Sequence, residues 1–212
     1  MTVFKYVIVI VVGYFLGSLS SSVLLSKFSF GRDVRKSGSG NAGATNMARV
    51  FGLGAGFLTL GCDMLKTALA LYLGYRLLGD WGVLASGVAC MSGHCYPLFH
   101  DFKGGKGIST GAIIGLFIDW RVFVGIVIVF LIVAFATKKV SAGSIAAAVA
   151  IAVLALVFGL STPKLMLACF AGALAIFQHR GNIKRLIDGT EPDFKAAAVA
   201  KDKAKHLIRR KK

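Results

Sequence analysis

Long runs of apolar residues constrain this chain more than any other feature. The run from Val3 to Leu25 contains one charged residue, Lys5. It exceeds the roughly 20 apolar residues that a helix needs to cross a bilayer. Over the whole chain 56% of the residues are hydrophobic, yet the formal net charge is +16. This combination indicates an integral membrane protein rather than a soluble domain.

The first run predicts a retained transmembrane helix. It lacks a small-residue cleavage site and is longer than the roughly 7–15 apolar residues of a signal core. Six further apolar runs follow, at Phe51–Tyr75, Trp81–Phe99, Ile108–Ile118, Val122–Thr137, Ser141–Leu160 and Leu165–Gln178. We predict an all-α polytopic membrane protein with seven transmembrane helices. Its single domain covers residues 1–194, and a basic tail covers 195–212.

The short run at residues 108–118 is the exception among the seven. At about 1.5 Å per residue it does not cross unaided, so a tilted, re-entrant or half-buried helix stays open for it. If all seven runs cross, 20 of the 25 lysines and arginines lie on one side and 4 on the other. Positive charge marks the cytoplasmic side, which predicts an outside N-terminus and a cytoplasmic C-terminus.

Two charges interrupt the second long run. Asp63 and Lys66 are three residues apart and share one face of a helix. An unpaired charge near the bilayer centre costs about 2.5–3.5 kcal/mol on insertion scales. We expect the two side chains to pair, with direct contact to a substrate as the alternative. The four cysteines form no CxxC pair and are interpreted as small buried apolar residues.

A glycine-rich polar segment, SGSGNAGATN at residues 37–46, follows the first run, with Arg35, Lys36 and Arg49 beside it. Glycines let backbone N–H groups approach an anion, and the N-terminus of a following helix favours negative charge. The segment predicts a phosphate-binding loop, and a flexible Gly/Ser linker is the alternative. Neither Rossmann nor Walker spacing is present, so nucleotide binding is not predicted.

A second segment, GHCYPLFHDFKGGKG at residues 93–107, places the sequence Lys-Gly-Gly-Lys-Gly, which contains Lys106, directly before the short apolar run. Gly-Gly-Lys-Gly at a helix start again brings N–H groups and an ammonium to one point. His94, His100 and Asp101 do not indicate a metal site, because no carboxylate-rich or cysteine-rich segment accompanies them.

The third segment, HRGNIKRLIDGTE at residues 179–191, begins where the last apolar run ends. On a helix, His179, Asn182 and Arg185 point to one side. His179 is interpreted as a general base, as an anion ligand when protonated, or as an interfacial residue. All three segments fall on the predicted cytoplasmic face, which suits a phosphorylated, water-soluble substrate that meets a lipophilic one.

In this order, the three segments resemble the bacterial acyl-phosphate-dependent glycerol-3-phosphate acyltransferases of the PlsY type. The similarity covers residues 3 to 194. The resemblance implies transfer of a fatty acyl group from acyl phosphate to the 1-hydroxyl of sn-glycerol 3-phosphate. The products are lysophosphatidic acid and inorganic phosphate, in the first step of phospholipid biosynthesis.

The resemblance also implies a multi-pass protein of the bacterial cytoplasmic membrane, with a cytoplasmic active site and neither metal nor coenzyme. The expected partners are the two substrates and membrane lipids, together with transient contact with a soluble enzyme that makes acyl phosphate. A monomer that binds no nucleic acid is expected.

Residue by residue, the resemblance implies an active site with a polar lining of Ser39, Asn41, Thr45, Arg49, Lys106, His179 and Asn182. Among these, the candidate catalytic residues are Ser39, Lys106, His179 and Asn182. The candidate ligands of the substrate phosphates are Ser39, Asn41, Thr45, Arg49, Gly104, Gly105 and Lys106. Arg185 and Glu191 are implied to support the site. Ser109 stands where alanine is commoner in the family.

Two rival functions stay open. A membrane acyltransferase that uses acyl-CoA or acyl carrier protein is the nearer one, although the His-x-x-x-x-Asp dyad of the thioester-using family is absent. A small-anion transporter is more distant, because transporters often show internal repeats and place their sites near the midplane. The residues leave open whether His179 or a substrate phosphate accepts the proton.

Overall fold

The computed structural model describes residues 1–193, which form helices joined by short loops and contain no strand. The helices are α1 (Thr2–Ser18), α2 (Ser21–Phe30), α3 (Ala44–Phe51), α4 (Leu53–Cys95), α5 (Ile108–Ile118), α6 (Trp120–Thr137), α7 (Val140–Val157), α8 (Thr162–Gln178) and α9 (Arg180–Ile187). The predicted all-α class is confirmed. The predicted basic tail, 195–212, lies outside the described residues.

Helix α4 folds back on itself at Gly79, whose φ of 59° and ψ of −144° are not helical. Gly74 and Gly82 lie against each other, although eight residues would separate them by about 12 Å along a straight helix. A Cβ on either glycine would collide with the backbone of the other, so glycine permits this close approach. The two arms of α4 correspond to the predicted runs Phe51–Tyr75 and Trp81–Phe99.

The first apolar run forms two helices where one was predicted. Helices α1 and α2 meet at Leu19 and Ser20, which have extended backbone. At this break the Lys66 ammonium donates hydrogen bonds to the carbonyls of Gly17 and Leu19, at 3.1 and 2.8 Å. Backbone groups freed at membrane depth need such partners, so Lys66 explains why the break is tolerated.

Four segments of the described chain are long and apolar enough to cross a membrane: Thr2–Phe30, Leu53–His100, Trp120–Thr137 and Val140–Val157. The second of these contains both arms of α4. Helices α5 and α8 are apolar but shorter, with 11 and 17 residues. The seven-crossing topology and the orientation of the termini stay predictions.

The core lies among both arms of α4 and helices α5, α6, α7 and α8. Helix α5 packs against α4, α6 and α8, so this short helix lies inside the bundle. Its buried side chains include Ile114, which is fully enclosed. Cys90 and Cys95 are buried as predicted and Cys62 is half-buried, whereas the burial predicted for Cys169 is wrong because that residue is exposed on α8.

Candidate active site

A cavity of about 790 Å³ brings the three polar segments of the sequence together. Its polar wall comes from α3 and the preceding loop, from the start of α5, and from α9. The predicted site residues on this wall are Ser39, Asn41, Thr45, Arg49, Lys106, His179, Asn182, Arg185 and Glu191. The remaining two, Gly104 and Gly105, do not line the cavity.

Asn46 gives the glycine-rich loop its shape. Its side-chain amide donates to the carbonyls of Val34, Ser37 and Asn41 at 3.0–3.1 Å. Its Oδ1 accepts a hydrogen bond from the Ser39 N–H at 2.9 Å. The segment therefore has a defined shape and is not a flexible linker. Sequence reasoning did not select Asn46, although asparagine side chains commonly organise glycine-containing turns.

Helix α3 directs its N-terminus at the cavity. The N–H groups of Ala44 and Thr45, the first two residues of α3, have no acceptor within residues 1–193. Both residues line the cavity. Unpaired N–H groups and the helix dipole favour an anion at this position.

The two glycines of the Gly-Gly-Lys-Gly sequence have a different role from the predicted one. The N–H groups of Gly104 and Gly105 donate to the carbonyls of Cys95 and His94, at 3.1 and 3.0 Å, and close the end of α4. A Cβ at either glycine would collide with His94. These N–H groups are therefore not available to a phosphate, because they pair with backbone carbonyls.

The unpaired donors lie one step further along the chain, at the start of α5. The N–H groups of residues 106–110 have no acceptor in the described part of the chain. Lys106, Gly107, Ile108 and Ser109 line the cavity. Two helix N-termini, those of α3 and α5, thus open into the same cavity and make its polar end suitable for phosphate groups.

A chain of hydrogen bonds links α5 to α9. The Lys106 ammonium donates to Asn182 Oδ1. The Asn182 amide donates to Glu191 Oε1 at 2.7 Å, and Arg185 Nε donates to Glu191 Oε2, also at 2.7 Å. The cation, the amide and the carboxylate therefore hold one another in place. The supporting position implied for Arg185 and Glu191 agrees with these contacts.

The charges around Lys106 alter its proton affinity. Burial lowers the pKa of Lys106 to about 8; the charges of Arg185 and Arg49 also lower it, and Glu191 opposes them. Burial alone would raise the pKa of Glu191. The nearby Ser141 hydroxyl and the hydrogen bonds from Asn182 and Arg185 outweigh this effect and hold the pKa of Glu191 below its usual value.

His179 is buried at the junction of α8 and α9, with 3% of its surface exposed. Its Nδ1 lies 2.8 Å from the Ala175 carbonyl oxygen. Because a carbonyl oxygen only accepts, the proton resides on Nδ1, and the Nε2 lone pair has no hydrogen-bond donor among residues 1–193. Burial, followed by the charge of Lys106, lowers the pKa of His179 despite the Ala175 hydrogen bond. The imidazole is therefore neutral near pH 7.

The two arginines beside the first segment differ in availability. Arg49 lines the cavity, and no carboxylate of residues 1–193 lies within salt-bridge distance of it. The Arg35 guanidinium lies 2.8 Å from Asp33 Oδ2 and donates to the His100 carbonyl at 2.7 Å, so it joins two loops. Lys36 is exposed and does not line the cavity. Arg49 is thus the cation of this segment that can contact a ligand.

The inner part of the cavity is apolar. Its lining there includes Ala112, Ile126, Ala147, Ala148, Ile151 and Ala171, from α5, α6, α7 and α8. The alanines on these facing helices leave space for an apolar group. The cavity thus has one cationic end and one apolar end.

Comparison with known proteins agrees with this geometry. Residues 7–189 match the family model described as glycerol-3-phosphate acyltransferase. A glycerol-3-phosphate acyltransferase of Finegoldia magna is 38% identical over 190 residues, which are 89% of this chain and 96% of that protein. The Bacillus subtilis glycerol-3-phosphate acyltransferase is 36% identical over 188 residues, 89% and 97% of the two chains.

Two crystal structures of PlsY (YgiH), an integral membrane glycerol 3-phosphate acyltransferase, share the fold. The glycerol 3-phosphate form has a TM-score of 0.87 and 33% sequence identity, and the match covers 92% of this chain and 98% of the PlsY chain. The lysophosphatidic acid form has a TM-score of 0.82 and 32% identity, with coverage of 89% and 94%. With the long apolar helices, these relatives identify a membrane protein. The chain belongs to the glycerol-3-phosphate acyltransferase family, in its PlsY branch.

Proposed function

We propose that this protein transfers a fatty acyl group from acyl phosphate to the 1-hydroxyl of sn-glycerol 3-phosphate. The products are 1-acyl-sn-glycerol 3-phosphate and inorganic phosphate, at the first step of phospholipid biosynthesis. Membership of the family and the ligand forms of the two PlsY structures support this acceptor and this product. Acyl phosphate as the donor is what the resemblance to the PlsY type implies, and the cavity, with one cationic and one apolar end, is compatible with it.

One observation carries the proposal: a single cavity joins a cationic end, rich in unpaired N–H groups, to an apolar interior. Acyl phosphate has the same division, since a phosphate group is attached directly to a fatty chain. Glycerol 3-phosphate is a small anion that needs only the polar end. Arg49, Lys106 and the two helix N-termini supply enough positive potential for two phosphate groups.

The reaction requires no covalent enzyme intermediate. The acceptor hydroxyl oxygen attacks the acyl carbonyl carbon, and the bond from that carbon to the phosphate oxygen breaks. Inorganic phosphate leaves with the electron pair, and the hydroxyl proton passes to a base. Because a mixed anhydride already has a good leaving group, positioning and charge stabilisation suffice to accelerate the transfer.

The side chains divide these tasks. Arg49 and Lys106 hold phosphate groups, and the short polar side chains of Ser39, Asn41 and Thr45 add hydrogen bonds. The Gly104 and Gly105 backbone, through its hydrogen bonds to the end of α4, supports the segment that binds the donor phosphate.

Two groups can accept the hydroxyl proton. His179 is neutral and its Nε2 has no partner in the described part of the chain, which is the state that a general base requires. A phosphate oxygen of a substrate is the alternative acceptor. Asn182 acts by holding the Lys106 ammonium in place.

The proposal includes the setting of the enzyme. We place it in the bacterial cytoplasmic membrane as a monomer with seven crossings, and its active site faces the cytoplasm, as the distribution of lysine and arginine predicts. It works without metal or coenzyme and receives acyl phosphate from a soluble enzyme through transient contact.

The decisive experiment offers purified protein in lipid three donors in separate reactions: palmitoyl phosphate, palmitoyl-CoA and palmitoyl acyl carrier protein. Labelled glycerol 3-phosphate is the acceptor. Product with palmitoyl phosphate alone is the expected result. Product with a thioester would keep the acyltransferase class but overturn the donor. Absence of product with every donor would contradict the proposal and favour anion transport.

A further inference from the structure

A buried polar cluster lies inside the bundle beside the candidate active site. At its centre, Lys66 Nζ lies 2.9 Å from Asp63 Oδ1, and the two residues are 6% and 1% exposed. The pairing predicted from the sequence is confirmed. Neither side chain lines the cavity, so the alternative of direct substrate contact receives no support.

The Asp63 carboxylate also contacts side chains from three other parts of the fold. Ser21, the first residue of α2, donates to Oδ1 at 2.9 Å. Ser109, in the first turn of α5, donates to Oδ2 at 3.3 Å. His94 Nδ1, near the end of α4, lies 3.7 Å from Oδ1. Of these partners, Ser109 and His94 reach the cavity wall.

His94 extends this link to the residues before α5. Its carbonyl accepts the Gly105 N–H at 3.0 Å. Its ring packs so closely on Gly105 that a Cβ there would overlap Nε2. Lys106 follows directly in the chain. Segment 105–109 is therefore bound at its first residue by the His94 carbonyl and at its last residue, Ser109, by the Asp63 carboxylate. The His94 ring lies 3.7 Å from the same carboxylate.

We propose that Asp63 is a positioning residue for acyl transfer, because its carboxylate accepts a hydrogen bond from Ser109, lies 3.7 Å from His94 Nδ1 and so fixes segment 105–109 at the phosphate end of the cavity. The inference rests on the proposed function. The unpaired N–H groups of residues 106–109 bind a phosphate strongly only if they converge on it, and a displacement of about 1 Å can reduce a rate by about 100-fold. Lys66 balances the charge of Asp63 inside the apolar bundle.

The test compares steady-state kinetics of full-length variants in lipid, with palmitoyl phosphate and glycerol 3-phosphate as substrates. Asp63→Asn should lower kcat/KM about tenfold or more, and should raise the inhibition constant of inorganic phosphate by a similar factor. Inorganic phosphate is the probe because it reports on the anion site alone.

Asp80→Asn is the matched control. Asp80 lies at the far end of the α4 hairpin, accepts a hydrogen bond from Ser161 at 2.8 Å and lies 3.7 Å from Lys164. It has the same kinds of partner but no link to α5. Its kinetic constants should therefore stay within about twofold of the wild type, as for surface substitutions in general.

A second variant separates positioning from stability. Ser109→Ala leaves the ion pair intact and should lower kcat/KM about two- to fivefold, raise the phosphate inhibition constant and lower Tm only modestly, in line with one lost hydrogen bond. Ser109→Thr, which keeps the hydroxyl, should recover most of the loss. Val122→Ala, buried outside the cavity, should lower Tm without changing the inhibition constant.

Three results would overturn the proposal. The first is an unchanged phosphate inhibition constant in Asp63→Asn, and the second is an equal effect in Asp80→Asn. The third applies if Asp63→Asn does not fold: Ser109→Ala then has the kcat/KM and the phosphate inhibition constant of the wild type. If the wild-type protein catalyses no acyl transfer, the proposed function is contradicted instead. The positioning role is then still tested by comparing the Tm shift that inorganic phosphate produces in the wild type and in Asp63→Asn.

Discussion

Lys106 donates a hydrogen bond to Asn182 across the cavity, so the start of α5 and helix α9 meet at one ammonium group. The two residues are 76 positions apart in the chain. This contact sets a cation beside His179 and beneath the N-terminus of α5. The charge of Lys106 also depends on Arg185 in α9 and on Glu191 in the segment after it, and the first two predictions follow from this dependence.

The alkaline limb of the pH profile of kcat/KM should reflect the ionisation of Lys106. Below its pKa of about 8 the ammonium is charged and attracts phosphate, and above that pH the charge is lost. We therefore expect kcat/KM to fall as the pH rises through about 8. Lys106→Arg keeps the charge at all these pH values and should move the limb upward by more than about one unit. Profiles of kcat/KM from pH 6 to 10 measure this, and an unmoved limb would contradict the assignment.

Glu191→Gln should move the same limb in the opposite direction. The carboxylate of Glu191 favours the charged form of Lys106, so its neutralisation lowers the pKa of Lys106 further. The Arg185 guanidinium also loses its ion pair, which should reduce Tm because one lost charged hydrogen bond is worth about 1.5–3 kcal/mol. Asp188→Asn, also near the end of α9, is the control. A limb at the wild-type pH in Glu191→Gln would disprove the coupling.

Arg49→Ala should raise the KM for glycerol 3-phosphate. Loss of one charged hydrogen bond of about 1.5–3 kcal/mol corresponds to about 10- to 100-fold in affinity. Arg180→Ala is the matched control, because Arg180 is exposed and stacks on Phe177. Initial rates against acceptor concentration give both values. An unchanged KM in Arg49→Ala would remove its role as a phosphate ligand.

His179→Ala tests the choice of proton acceptor. If Nε2 of His179 is the base, kcat at saturating substrate should fall about 10²- to 10⁴-fold. In the wild type the acid limb of kcat/KM should then lie below the ordinary histidine range, because the pKa of His179 is lowered. His100→Ala, outside the cavity, is the control. Nearly intact turnover in His179→Ala would assign the proton to a substrate phosphate.

Gly17→Ala should destabilise the bundle. Its Cβ would overlap the backbone of Cys90, and overpacking of this kind costs about 1–3 kcal/mol or more. Gly61 lies in the first arm of α4 with no atom within 4 Å of a Cβ built on it, so Gly61→Ala should be neutral or stabilising. Thermal unfolding in detergent compares the two variants. Equal Tm values for Gly17→Ala and Gly61→Ala would show that α1 and α4 can move apart at Gly17 without loss of stability, contrary to the prediction.

Much of the architecture and of the site composition was predictable from the sequence. Apolar runs predict helices because a membrane offers no hydrogen bonds to the backbone, so the all-α class follows from composition and periodicity. The spacing of Asp63 and Lys66 predicted their pairing for the same reason. The resemblance of the three polar segments to the PlsY type predicted nine of the residues that line the cavity.

Tertiary packing decided the rest. The sequence could not predict the break between α1 and α2, because Lys66, 47 residues beyond Leu19, satisfies the carbonyl freed there. Nor could it predict that Gly104 and Gly105 pair with the end of α4, which moves the free N–H groups to Lys106 and the residues after it. Sequence determines which groups can donate, accept or carry charge. Only the fold determines which of them are already paired, because hydrogen bonds between distant segments depend on distances that local patterns do not contain.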